Sequence, residues 1–224
     1  MVGIMHHVLI LMGLVLGCAG PQVVEDPFDN AVPKYGDPTY KTIWSWTDPV
    51  DRQRNCEASI EAAELGWGYL EHGDPSTAMK RFNQAWSLCP ANPRALWGMA
   101  VVQYQRSRSA ADRGASRDRI ECLDEAVSLI EEAAALPPPG APLLHHCATM
   151  LTVRGLLRRE LDVDGWTADF DRAEQRLRLA ESIEVDPLLY DTWSKLESHR
   201  GHPDLAERFA RKARLLRDDK RAGR

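Results

Sequence analysis

The run His145-His146-Cys147 is the cluster in the sequence that most resembles a set of metal ligands. Imidazole and thiolate groups bind Zn²⁺, but adjacent residues point about 100° apart on a helix, so both histidines cannot face one metal. The sequence contains no glycine-rich phosphate loop and no His-Glu-x-x-His, Gly-x-Ser-x-Gly or Cys-x-x-Cys motif. We therefore expect no metal site, no cofactor and no enzymatic activity.

The composition predicts an all-α protein. The 224 residues can form one ordinary domain with a tail, and Ala, Leu, Glu and Arg dominate over β-branched residues. Carboxylates lie among arginines at helical spacing, as on a solvated helix surface. The formal net charge of −5 gives no reason to expect a nucleic-acid partner.

The N-terminus carries an apolar run, Val8 to Leu16, that is shorter than the roughly 20 residues of a membrane span. It ends in Val15-Leu16-Gly17-Cys18 and is followed by a polar, proline-rich stretch. This end resembles the lipobox of bacterial lipoproteins. The resemblance implies a signal peptide over residues 1–17 and a diacylglycerol on the Cys18 thiol.

Two details qualify this prediction. The segment before the apolar run has no Lys or Arg, so the alternative is an ordinary secretory signal with a coincidental cysteine. The residue after Cys18 is Ala19 rather than the Asp typical of inner-membrane retention. By the same resemblance, we expect an outer-membrane protein that faces the periplasm.

Residues 18–54 contain several prolines and no apolar periodicity, which predicts an extended tether. Within it, Tyr40, Trp44 and Trp46 form an aromatic group. One interpretation is that they pack over the first helix as an N-terminal cap. The alternative is a linear motif that docks on a partner.

From Cys56 onward small and aromatic residues recur at fixed helical spacing, with Gly73-Asp74 placed at a turn. The positions that carry the pattern are Gly66, Ala78, Phe82, Ala85 and Pro90. This pattern resembles the tetratricopeptide repeat (TPR). Two antiparallel helices can approach where Gly66 faces Ala78, while Phe82 and Tyr69 fill the space beyond. Pro90 ends the unit because it cannot continue a helix.

Three weaker copies of the pattern follow at consistent intervals. Their members are Ala100, Ala126, Ile130, Ala133 and Pro138; Ala148, Ala173, Leu177 and Ala180; and Ser194, Ala206, Ala210 and Ala213. The resemblance implies a short α-solenoid of about four TPR-like helical hairpins over residues 55–220, followed by a basic tail at 221–224. It lies behind the signal peptide and the tether.

The second and third copies each carry an insertion at the turn of the hairpin. The segment Arg106–Arg119 is basic, and the segment Arg158–Arg172 is acidic with two aromatic residues. One interpretation is that the insertions lengthen the helices and pair with each other. The alternative is a charged edge that contacts a partner.

The TPR register places Cys56 at the start of the first helix and Cys89 at the end of its antiparallel partner. Both should lie at one end of the hairpin, and an oxidising periplasm permits a disulfide between them. A bridge between Cys122 and Cys147 fits the register less well. If all four stay reduced, they are small core residues.

TPR arrays resemble one another in holding peptides on the concave face formed by the first helix of each hairpin. Carried over to this sequence, that face comprises Trp67, Leu70, Glu71, Arg94, Trp97, Val101, Tyr104, His145, His146, Thr149, Asp191, Lys195 and His199. Trp67, Trp97 and Tyr104 stand out because exposed aromatic residues are typical interface anchors. The alternative is that the N-terminal aromatic segment or an inserted edge covers them.

These features together predict a non-enzymatic scaffold of an envelope complex such as a pilus, a secretion pore or the outer-membrane assembly machinery. Its partners would be protein or peptide segments, and it would meet the membrane only through the lipid anchor. The basic stretch from Arg208 to Arg224 would form the outer face of a capping helix, or contact anionic lipid or an acidic partner. The alternative function is an accessory lipoprotein of a TRAP-type solute transporter, binding a substrate-binding protein or a small molecule.

Overall fold

The computed structural model describes residues 49–222, with side chains from residue 53 onward. This part of the chain contains helices and no strand, so the all-α prediction is confirmed. The helices are α1 (Pro49–Glu71), α2 (Pro75–Leu88), α3 (Pro93–Asp112), α4 (Ser116–Ala135), α5 (Ala141–Glu160), α6 (Trp166–Ile183), α7 (Pro187–Arg200) and α8 (Pro203–Arg221). Within residues 49–222, no helix combines the length and the apolar character that a membrane crossing requires.

The predicted signal peptide, Cys18 and the aromatic group at Tyr40, Trp44 and Trp46 lie outside the described residues. Helix α1 already begins at Pro49, within the segment that the sequence analysis assigned to the tether.

Proline and aspartate explain where several helices begin. Five of the eight start with proline at their first helical position. Proline suits this position because the missing N–H would have no partner inside the helix. Before α2, the Asp74 side chain accepts a hydrogen bond from the Thr77 N–H (2.9 Å). Before α7, Asp186 accepts one from the Leu188 N–H (2.8 Å).

The turns inside the four successive hairpins share one backbone feature. Each contains a glycine in the left-handed region, at φ values of 77°, 71°, 90° and 83° for Gly73, Gly114, Gly165 and Gly201. Residues with a Cβ rarely adopt this conformation, so glycine sets these four turns. The positions of the turns confirm the predicted four hairpins.

The described chain divides into two compact units, a first unit of residues 49–102 and a second unit of residues 103–222. In the first unit the Phe82 ring of α2 lies against Gly66 of α1 and Gly98 of α3. A Cβ on Gly66 would come within 2.5 Å of the ring, and a Cβ on Gly98 would come closer still. Helices α1 and α3 therefore both approach α2 closely at the Phe82 ring. The contact expected between Gly66 and Ala78 is not the only close approach. Tyr69, expected to fill the same space, is 38% exposed instead.

A disulfide joins Cys56 of α1 to Cys89 after α2, with the two Cα atoms 4.9 Å apart. The same end of the hairpin holds a short polar network. The Ser59 hydroxyl donates to the Ala85 carbonyl (2.7 Å), and the Asn92 amide donates to the Ser59 oxygen (2.8 Å). These contacts hold the N-terminal part of α1 against the C-terminal end of α2. Among the described residues, Cys122 and Cys147 form no disulfide.

In the second unit most residues of the predicted pattern are buried, while Ser194 and Ala210 are half-buried. Fully buried positions include Ala126, Ile130, Ala133, Ala148, Ala173, Leu177 and Ala180. The close helix crossing of the third hairpin lies elsewhere, at Gly155 of α5, where a Cβ would come within 2.7 Å of the Phe170 ring of α6. This pair repeats the relation of Gly66 to Phe82, and the sequence analysis missed it.

The fourth hairpin follows its predicted pattern with a shift of one residue. The Ser194 hydroxyl of α7 donates to the Ala206 carbonyl of α8 (2.8 Å), so these two positions do meet. The aromatic residue that was missing at Ala210 is supplied one position earlier. Phe209 stacks on Trp193 with the ring centroids 4.7 Å apart.

Both insertions lengthen helices. The first is absorbed by α3 and α4, with only residues 113–115 between them, and the second by α5 and α6, with residues 161–165 between them. The lengthening of the helices is therefore seen for both segments, while their pairing with each other stays a prediction.

Candidate partner-binding surface

In the first unit, the predicted residues Trp67, Arg94 and Trp97 form one cluster of side chains. Glu64 of α1 joins this cluster through Arg94. The Trp67 ring packs edge to face on Trp97, with centroids 5.1 Å apart, and the Arg94 guanidinium lies 5.8 Å from the centroid of the Trp67 ring. Arg94 also forms an ion pair with Glu64 (2.7 Å). Arg94 and Trp97 are half-buried, so this cluster reaches the surface through them.

Trp67 itself is interior, at 6% exposure, because Phe82 packs against its other side with centroids 5.5 Å apart. Its indole N–H is buried and has no acceptor among the residues that the structure describes. Leu70 and Val101 are also buried, while Glu71 is half-buried. The sequence placed these residues on a common face, and the structure shows that some of them serve the core of the first unit.

Tyr104 belongs to the second unit and is 9% exposed. Burial raises the pKa of its phenol, while Arg108 and Arg119 act in the opposite direction. The exposure that the sequence analysis attributed to Trp67 and Tyr104 is therefore not found. Of the three aromatic residues proposed as anchors, Trp97 remains accessible to a partner.

In the second unit, His145 of α5 meets α7. Its Nε2 and the Thr192 hydroxyl are 2.8 Å apart, and burial lowers the pKa of His145 against the opposing effect of Asp186 and Asp191. Thr149, one turn further along α5, donates its hydroxyl to the His145 carbonyl (3.0 Å). His145 thus contacts another helix of the second unit, whereas the Thr149 hydroxyl bonds within α5.

The predicted residues of α7 differ in what they offer to a partner. Asp191 forms an ion pair with Arg217 of α8. The His199 carbonyl accepts a hydrogen bond from Arg159 of α5, and burial lowers the pKa of the His199 ring. Lys195 is exposed. Of these three, Lys195 is the most accessible.

The surroundings of His146 and Cys147 favour the neutral form of both side chains. Burial, together with the neighbouring His145, lowers the pKa of His146 to about 3. Burial raises the pKa of the Cys147 thiol to about 12. Within residues 49–222, no three His, Cys, Asp or Glu side chains are gathered so as to hold a metal ion.

The second unit contains a buried ionic network that the sequence analysis did not find. The Asp169 carboxylate is fully buried and accepts hydrogen bonds from Arg154 (2.6 and 3.0 Å), Arg158 (3.1 Å) and Arg172 (2.7 Å). Arg154 and Arg158 also reach Asp124 of α4, at 3.1 and 2.7 Å. The network joins α4, α5 and α6 and uses the charges at the inserted edge.

Some basic side chains of α8 form ion pairs with neighbouring elements, and others are exposed to solvent. Lys212, Arg217 and Lys220 form ion pairs with Glu181, Asp191 and Asp186 of the preceding helices. Arg208 and Arg211 are exposed and form no ion pair with any described residue. Three of its basic residues therefore tie α8 to α6, to α7 and to the residue that precedes α7, as a terminal helix requires.

Four successive helical hairpins, with small residues at the helix crossings and an aromatic ring packed against glycine in two of them, define a TPR-like protein. The chain is similar to the crystal structure of TTC0263, described as a thermophilic TPR protein in Thermus thermophilus. The two share 21% sequence identity at a TM-score of 0.36, with 70% of this chain and 91% of that chain covered. The TPR-like class rests on the packing of this chain's own residues.

No protein-family model matches the sequence, and no curated protein matches it either.

Proposed function

We propose that this protein is a non-enzymatic, lipid-anchored outer-membrane protein that binds segments of other proteins and assists the assembly of an envelope complex. The observation that carries the proposal is the half-buried pair Arg94 and Trp97 on the TPR-like first unit. A planar cation and an indole at a partly open surface are the side chains that most often anchor a protein partner. TPR-like folds are typically non-catalytic.

The membrane part of the proposal rests on Val15-Leu16-Gly17-Cys18 and Ala19 alone. A lipid at Cys18 and the chain up to α1 at Pro49 would place the binding surface within tens of ångströms of the bilayer, on the coil estimate of about 5–6 Å × √n. The anchor is tested by metabolic labelling with an alkyne palmitate in a Gram-negative host. Label on the protein that disappears in Cys18→Ser supports lipidation, and its absence from the unaltered protein contradicts it.

The binding function is tested by pull-down of the tagged, detergent-solubilised protein from native envelopes, with partners identified by mass spectrometry. Subunits of a pilus, secretion or outer-membrane assembly complex that are lost in Cys18→Ala support the proposal. A solute-binding protein in their place would indicate the accessory role in a TRAP-type transporter.

Trp97→Ala is the matched surface variant for this experiment, and Lys195→Ala in the second unit is its control. We expect Trp97→Ala to reduce recovery of the partner and Lys195→Ala to reduce it less. Equal recovery with both variants and with the unaltered protein would contradict the assignment of the surface.

A further inference from the structure

The first described helix, α1, leaves one of its sides exposed. Five residues on this side follow one another at intervals of three or four positions, and all of them except the half-buried Gly68 are exposed. We call them the α1 stripe: Arg54, Ala58, Glu61, Glu64 and Gly68. Glu64 pairs with Arg94 (2.7 Å), and Glu61 forms no ion pair with any residue that the structure describes. The stripe thus carries one cation, two carboxylates and two residues with a small or absent side chain.

The last described helix, α8, also leaves one side exposed. At the same kind of spacing it presents Leu205, Arg208, Arg211, Leu215 and Asp219, which we call the α8 stripe. Leu205 is 37% exposed and Leu215 is 59% exposed. Arg208 and Arg211 form no ion pair within the part of the chain that the structure describes. Two leucines and two cations of α8 are therefore open to a partner.

The charges of the two stripes match when the helices run in opposite directions, as the helices of one hairpin do. In a single register, each charge of one stripe comes opposite a charge of the other sign. The charged pairs are Arg54 with Asp219, Glu61 with Arg211 and Glu64 with Arg208. The α1 stripe is therefore complementary to the α8 stripe in the order of its charges as well as in their sign.

The apolar residues fit the same register. Leu215 comes opposite Ala58, and Leu205 comes opposite Gly68. A Cβ placed on Gly68 would meet no atom within 4 Å, so there is open space for a leucine side chain at this position. Large side chains opposite small ones allow two helices to approach closely. Shape thus supports the register that the charges define.

We propose that copies of this chain associate through these surfaces, with the α1 stripe of one copy packed against the α8 stripe of another. Each chain carries both stripes, so a second copy supplies a partner that is complementary along the whole stripe. The contact joins two different surfaces, which leaves one of each open and allows further copies to add. This inference goes beyond the binding of envelope partners proposed above and does not depend on it.

The test is sedimentation equilibrium of the full chain in density-matched detergent, which keeps the apolar run Val8 to Leu16 from driving association. The average protein mass should rise above the 25.2 kDa of one chain as the concentration increases. It should fall back toward that mass at about 1 M salt, where the Debye length is only about 3 Å. The mass of a single chain at every concentration in low salt overturns the proposal. That result includes the case in which another part of the same chain covers the stripes.

Charge reversal at four exposed positions locates the contact. Glu61→Lys with Glu64→Lys turns two attractions into repulsions, and Arg208→Glu with Arg211→Glu does the same from the other side. We expect each double variant to associate at least tenfold more weakly than the unaltered protein. Association of either double variant at the unaltered strength overturns the proposal.

The two reversals together provide the matched control. The chain with all four substitutions has the unaltered net charge and complementary stripes, so its association should return to within about threefold of the unaltered protein. An equal mixture of the two double variants should likewise form mixed assemblies, because the reversed stripes complement each other. Failure of both the fourfold variant and the mixture to associate overturns the proposal.

Anionic lipid is the other class of partner that the basic residues of α8 could contact. Flotation with vesicles of phosphatidylglycerol and phosphatidylethanolamine separates the two cases. If the protein stays a single chain in solution and floats with the vesicles unless Arg208 and Arg211 are reversed, the α8 stripe contacts lipid and the proposal is wrong. Concentration-dependent association without vesicles, lost in both double variants, supports the proposal.

Discussion

The two units of the chain use their charged residues in different ways. In the first unit a disulfide, a buried serine and the Phe82 ring hold the helices together, and Glu61 is exposed. In the second unit the buried carboxylate of Asp169 receives three arginines, and further ion pairs tie α8 to its neighbours. Buried ion pairs thus hold the second unit together, whereas a disulfide, a neutral hydrogen bond and an aromatic ring do so in the first.

The largest expected effect comes from breaking the buried network. Asp169→Ala leaves Arg154, Arg158 and Arg172 without their shared acceptor, and an uncompensated buried charge costs about 3–5 kcal/mol. We expect the free energy of unfolding in urea to fall by that amount. Asp164→Ala, at an exposed turn, is the control and should cost less than about 0.5 kcal/mol. A cost below about 1 kcal/mol for Asp169→Ala would show that the network does not hold the second unit.

Reduction of the Cys56–Cys89 disulfide should act on the first unit alone. The two cysteines are 33 residues apart, for which the loop-closure estimate is about 3–4 kcal/mol. We expect faster hydrogen exchange in α1 and α2 after reduction and unchanged exchange in α5 and α6. A uniform increase over both units would contradict their separate stabilisation.

Acid should destabilise the second unit through His146, which is half-buried. The pKa of His146 is about 3 in the folded protein, below its usual value near 6.5, so the unfolded state binds more protons as the pH falls. Stability from this group is complete above pH 6.5, and about 2 kcal/mol is lost by pH 5. In His146→Gln the difference in unfolding free energy between pH 7 and pH 5 should shrink accordingly. The exposed His72 changed to Gln is the control, and an undiminished pH dependence in His146→Gln would contradict the assignment.

The smallest effect distinguishes two glycines of the first unit. At Gly98 a methyl group would overlap the Phe82 ring, which Gly66 confines from the other side. At Gly68 the same methyl would meet nothing. We expect Gly98→Ala to lower the unfolding free energy by about 1 kcal/mol after the gain in helix propensity, and Gly68→Ala to raise it by about 0.5–1 kcal/mol. Thermal unfolding that ranks the two variants in the opposite order would contradict the packing described.

The sequence predicts the hairpins well because small residues and turn glycines leave a periodic signal. The first hairpin, its turn at Gly73 and most buried positions of the later copies follow from the TPR resemblance that the spacing carries. The crossing at Gly155 escaped detection because its pattern is displaced from Ala148, which occupies the expected position. Periodicity identifies a face of a helix, but it does not show which residue on that face makes the closest contact.

The candidate site is less predictable for a physical reason. The spacing places Trp67 on the same face as Trp97, but whether each ring is exposed depends on Phe82 and Arg94 from other helices. Likewise, Asp169 reads in the sequence as one carboxylate of a charged surface. Only the three-dimensional arrangement shows that arginines from two helices converge on it.

The central claim, that recognition resides in the first unit, is tested most directly by hydrogen exchange on the native complex. The protein is isolated with its partner from envelopes, and exchange is compared with that of the free chain. The account predicts protection over Glu57–Glu71 and Pro93–Val101, with residues 103–222 unchanged. Protection confined to residues 103–222 would contradict it.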